Sequence, residues 1–172
     1  MRGGTGRKVR EGEEALGVEF CNMFEPHLTN WRVQYERMRR GFERLNQPYR
    51  SSVEYQDDLQ HFLQDSWHLK DWIKNDPGSG IDKQLIEREV QGYPALMVAA
   101  DLATACKHLN HDRKSRADAY VTRNDVTVHL GQDRGIDVVY YITMRHGQTT
   151  EQPLISDVVA AWDDLLRKLG LI

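Results

Sequence analysis

Apolar residues recur at steps of three and four from about residue 24 to 46, at Leu28, Trp31, Tyr35, Met38, Phe42 and Leu45. That spacing predicts an amphipathic helix, with Pro26 in its first turn. A second helix opens at Ser51, which with Glu54 forms an S-x-x-E capping box, and runs to the breakers Pro77, Gly78 and Gly80. A short helix is expected over "DKQLIEREV", stopped by Gly92. Another starts at Pro94 and continues to about Asn110.

Beyond "HDRKSRAD" the period falls to two. Val126, Val128 and Leu130 alternate with polar residues, and so do Ile136, Val138, Tyr140, Ile142 and Met144. This predicts two strands joined by the turn "GQDRG". "RHGQTTEQ" reads as a further turn leading to a short third strand at "PLI". The last helix is expected from the N-cap Ser156 to Leu169, with Val158, Val159, Trp162, Leu165, Leu166 and Leu169 as its apolar stripe and Gly170 as its stop. The fold class is therefore α+β: a helical bundle followed by a small antiparallel sheet and a C-terminal helix. Residues 1–14, Gly-rich and charged, read as a disordered basic arm. Residues 15–172 read as one domain, helical to about 112, with strands over about 117–146 and the terminal helix over about 156–169.

Composition narrows the class. The 172 residues are 40% hydrophobic and 28% charged, with a formal net charge of -3, ordinary for a globular domain and not the basic excess of a nucleic-acid-wrapping protein. No run of about 18 apolar residues suggests a membrane span, and the basic start has no apolar segment behind it to make a signal peptide. Cys21 and Cys106 lie in no metal-binding pattern and fit a reducing cytoplasm. Phosphate-loop, dinucleotide and nucleophile-elbow motifs are absent. The run Arg37, Arg39 and Arg40 is a possible phosphate contact, although such runs usually form a solvated helix face.

Candidate chemistry concentrates on two helices. At about 100° per residue, Leu59, Phe62, Leu63, Ser66 and Ile73 share the core side of the second helix, while His61, Asp65, His68 and Trp72 fall together on the opposite side. The helix from Pro94 has Val98, Leu102, Ala105 and Leu109 as its core stripe, with Asp101, Thr104, His108 and His111 along an adjacent line. Side-by-side packing would gather His61, Asp65, His68, Asp101 and His108. Three readings stay open: buried His–Asp pairs that serve only structure; a divalent metal held by His61, Asp65, His68, Asp101 and His108, since imidazole and carboxylate suit zinc, iron or manganese; or proton transfer by His68 or His108 beside a carboxylate such as Asp101. Whether the chain is an enzyme is open.

The stretches "HLKDW" (68–72) and "DLATACKHL" (101–109) resemble the signature of a group of small bacterial proteins in which a strand-rich segment and a Trp-containing terminal helix follow. The resemblance implies a fold and a bacterial source. A more distant similarity is to HEPN helical domains. The ribonucleases among them carry Arg, a polar residue and His on one helix; His108 and Thr104 would match, but Ala103 stands where the arginine belongs. Without that cation, stabilisation of phosphate charge is missing. The expected function is a cytosolic binding or accessory protein, HEPN-like, contacting RNA or a partner protein, with a homodimer open and no membrane partner. The alternative is a metal-binding protein or metal-dependent enzyme.

Overall fold

A computed structural model describes residues 30–48, 51–106, 116–129 and 135–172, with the side chains of residues 126, 128, 129 and 135 set aside. The basic arm, Pro26, Leu28, His108, His111 and the turn at 130–134 lie outside the described residues. Among the described residues, five helices and a three-stranded sheet follow in the order α1 (Trp31–Leu45), α2 (Ser52–Asn75), a 3-10 turn (Pro77–Ser79), α3 (Lys83–Val90), α4 (Pro94–Ala105), β1 (Tyr120–His129), β2 (Gly135–Met144), β3 (Gly147–Thr150) and α5 (Glu151–Lys168). The α+β class is as expected.

Caps set most boundaries. Asn30, in extended conformation, accepts from Val33 N–H, so α1 begins at Trp31, later than the expected start near residue 24. Ser51 caps α2 by accepting from Glu54 N–H at 3.1 Å, as its motif predicts. Asp82 caps α3 through Gln84 and Leu85 N–H. Helix α4 runs Pro94–Ala105, with Cys106 as its C-cap; the expected continuation to Asn110 lies outside the described residues.

The expected third strand at "PLI" is helical. Strand β3 is instead Gly147–Thr150, which pairs with β2 from Met144 to Tyr141. Helix α5 starts directly afterwards at Glu151 rather than at Ser156. Pro153 stands in its first turn, where the missing N–H costs nothing. Ser156 is inside the helix, its hydroxyl donating to the Gln152 carbonyl.

The sheet is antiparallel in the order β1-β2-β3, with a bulge between Val121 and Arg123. Helix α2 packs against α1, α3 and α4, while α5 closes on α4, α1 and β2. Trp31, Phe62, Leu69, Ile73, Trp162 and Leu166 are fully buried, each contributing about 1.5–3 kcal/mol of apolar burial. Gly41 admits α2 closely: a Cβ there would already touch Phe62 at 3.5 Å. Asp76 ties the end of α2 to the start of α1, accepting from Trp31 N–H at 3.0 Å.

Candidate functional site

The unusual face of α2 is dispersed among several neighbours. Asp65 turns to α1, where Arg37 forks onto its carboxylate through Nε at 3.0 Å and through Nη2. Buried Gln34 donates to the Asp65 carbonyl at 2.9 Å. His61 is exposed, and Trp72 packs partly buried against the core. His68 is half-buried and engaged in an interaction of its own.

Asp101 on α4 is buried, at 2% exposure. Its carboxylate accepts the backbone N–H groups of Arg116 (2.8 and 3.0 Å), Ala117 (2.6 Å) and Ala119 (3.5 Å). Asp118 between them has φ 51, in the left-handed region, so successive N–H groups curl into a concave anion nest filled by Asp101. The Arg145 guanidinium holds Asp118 at 2.6 Å. Asp101 thus fixes the entry into β1, while Asp65 fixes α1. Among the described residues, no group of three or more His, Cys, Asp and Glu is placed to hold a metal ion. His108 falls outside them.

The "HLKDW" stretch has packing roles that spacing does not reveal. Leu69 is core. Lys70 is buried, yet its ammonium donates to Glu87 at 2.9 Å and Asp71 at 3.1 Å, and Lys74 reaches the same two carboxylates. This joins α2 to α3. Burial pushes the Asp71 and Glu87 carboxyls up, but hydrogen bonds from Lys74 and Lys70 outweigh it and hold both below the ordinary carboxylate range. Donating to Glu87 and Asp71 in turn raises the Lys74 ammonium above its usual value. Lys70 and Arg116 each lie 4.7 Å from the centre of the Trp67 ring. A chain of contacts therefore runs from Asp101 through Arg116, Trp67 and Lys70 to Glu87.

The concave site lies beside this framework, under the inner face of the sheet. A groove of about 460 Å³ opens between α2, α4, α5, β1 and β2. Leu59, Leu63, Leu102, Ala105, Leu154 and Ile142 form its floor; Gln56, Gln60 and Asn124 supply carboxamides; Cys106, Tyr120 and Val121 stand along it. Its size and largely apolar lining match ligand-binding clefts. Among the described residues, no charged side chain lines it. Tyr120 and Val121 are 53% and 48% exposed, two of the four exposed large hydrophobic residues among those described. Sequence reasoning missed the groove because its walls come from five elements, α2, α4, β1, β2 and α5, and its apolar residues read as ordinary core positions.

Tyr140 forms the inner wall and is held from behind. Its ring stacks on Tyr55 at 6.1 Å, and Glu151, 1% exposed, accepts from Tyr140 N–H at 2.7 Å and Tyr55 O–H at 3.0 Å. Burial, and then the Glu151 charge, push the Tyr140 phenol up. In the first turn of α5 the Glu151 carboxylate also meets the positive end of the helix. A shallower hollow of about 530 Å³ adjoins it, lined by Leu45, Pro48, Asp137 and Gln152 among others.

The arginine run of α1 is matched by acids. Arg37 meets Asp65, Arg39 meets Asp163 at 3.1 Å, Arg44 meets Asp58 at 2.9 Å, and Arg40 lies 3.9 Å from Glu36. A phosphate there would have to displace carboxylates. No helix of the described residues is long and apolar enough to cross a membrane. No protein-family model, curated protein or solved structure matches the chain.

Proposed function

We propose that the chain is a binding or accessory protein rather than a catalyst, and that its groove holds the apolar side chains of a peptide segment from a partner protein. The observation that carries this reading is the groove's lining among the described residues: an apolar floor and a carboxamide rim, without a charged side chain. Carboxamides pair with peptide N–H and C=O groups in both senses, whereas a phosphate backbone would call for arginine or lysine. The neutralised α1 run supports a protein partner over RNA in the same way. A HEPN-like ribonuclease activity is disfavoured by Ala103, which is buried at the position where the family's arginine would stand. Cys106, a free and exposed thiol at the groove, supports a reducing, cytosolic setting.

The test is selection of peptides from a random displayed library on the purified chain, followed by fluorescence polarisation of the selected peptides and of a labelled single-stranded RNA. Peptides carrying apolar side chains should bind, and Ala105→Trp, which fills the groove, should weaken them at least tenfold. RNA binding with no peptide selected would contradict the reading.

A further inference from the structure

The outer edge of β1 carries no neighbouring strand among the described residues. The direction of its backbone groups follows from Glu151. Tyr140 N–H donates to Glu151 on the β3 side of β2, so the N–H and C=O of Tyr140 point away from β1. Asn124 faces Tyr140 in the ladder. The two therefore form a non-hydrogen-bonded pair, and the N–H and C=O of Asn124 also point outward, from the open edge.

We infer that this edge pairs antiparallel with β1 of a second copy of the chain, about a two-fold axis at Asn124. The axis is selected by charge. Centred on Asn124, Arg123 of each copy faces Asp125 of the other. Shifting the axis by one residue places Arg123 against Arg123, or Asp125 against Asp125, and like charges directly opposite are destabilising. At the axis the two outward-pointing Asn124 backbones exchange a pair of hydrogen bonds. The neighbouring Arg123–Asp125 positions are then non-hydrogen-bonded pairs, where side chains approach most closely. Both residues are within reach of a second copy: Arg123 is 62% and Asp125 51% exposed, and the 3.0 Å pair they form within one copy would extend across the seam. They share the face away from the groove, since Arg123 stacks 4.1 Å over Tyr141 while Asn124 lines the groove.

Asn124, on the groove side, meets its own copy, and a carboxamide can both donate to and accept from an identical one. Exposed Tyr120 and Val121 lie at the end of the seam and add apolar area to a short strand pairing. The bulge at Val121/Arg123 limits how far the pairing extends in that direction, as bulges do on edge strands. A two-fold seam of this kind is self-complementary and closes after two copies, leaving no further open β1 edge.

Sedimentation velocity over a concentration series of the full chain tests the seam, with circular dichroism to establish that each variant is folded. The wild-type chain should show a monomer–dimer equilibrium. Arg123→Asp and Asp125→Arg, each creating like-charge pairs across the axis, should each weaken it about tenfold or more. The double variant Arg123→Asp with Asp125→Arg restores opposite charges and should recover the wild-type equilibrium. Asn124→Pro, which removes the outward N–H and the seam carboxamide without breaking a β1–β2 ladder bond, should abolish the dimer. A wild-type chain that sediments as a monomer throughout, or a dimer unmoved by the single reversals and by Asn124→Pro, would overturn the inference. Ala105→Trp should leave the dimer intact, which separates this seam from the groove.

Discussion

The Asp101 carboxylate on α4 accepts the backbone N–H of Ala117 at 2.6 Å, across 16 residues of chain. This bond and its neighbours set where β1 begins, and so where Tyr120 and Val121 stand over the groove. Asp101→Ala would leave several N–H groups without their anion. It should cost about 3 kcal/mol, the upper range for unpairing buried polar groups, read from urea unfolding. A loss below about 1 kcal/mol would show that the nest holds without its carboxylate.

Trp162 is fully buried at the centre of the α5 stripe. Trp162→Ala should cost about 3–5 kcal/mol, the range for emptying a core aromatic site. The same unfolding measurement checks it, and a loss under 1 kcal/mol would make α5 peripheral to the core.

The Lys70–Glu87–Lys74–Asp71 cluster makes a pH prediction with a definite sign. The Asp71 and Glu87 carboxyls titrate below their ordinary values of 3.8 and 4.5 in the folded chain. Their contribution is fully present above pH 4.5 and is lost as pH falls through the folded values. Asp71→Asn should therefore lower stability at pH 6 and lower it less near pH 2. Both carboxylates are 39% exposed, so the effect should be modest and should shrink in high salt. A variant equally destabilised at both pH values would contradict the assignment.

Tyr35 and Tyr93 give the alkaline counterpart. Burial, and then the hydrogen bond to Asp163, push the Tyr35 phenol to about 12; the Asp164 hydrogen bond, and then burial, push Tyr93 to about 12. Each contribution is present below pH 10 and is lost as pH rises through about 12. Ultraviolet titration should find both phenols ionising late. Tyr35→Phe should remove one late step, and an unchanged titration curve would sink the assignment.

His68 was the residue most exposed to misreading from sequence. The wheel correctly separated the two faces of α2: Leu59, Phe62, Leu63, Ser66 and Ile73 are all buried. The opposite face did prove to be contacted, but Asp65 meets Arg37, 28 residues earlier, and periodicity says nothing about a partner that distant. Buried Lys70 and Glu151 were equally illegible. Lys70 is matched by Glu87, 17 residues on, and Glu151 by Tyr55, 96 residues back. Ser51 was legible because its cap is local. The start of α5 was not, because the helix follows β3 without a loop and its N-cap, Thr150, makes no side-chain cap bond. His68→Ala should lower stability by about 1–2 kcal/mol through loss of a half-buried interaction and leave peptide binding unchanged. A folded variant that no longer binds peptide would return His68 to the functional site.

The groove under β1 is the proposed binding site. Amide and methyl NMR shifts of the full chain, followed during titration with a selected peptide, test it most directly. The largest shifts should fall on Leu59, Leu63, Leu102, Tyr140 and Ile142, and vanish in Ala105→Trp. Shifts confined to the arginine run of α1, or equal shifts in Ala105→Trp, would contradict it.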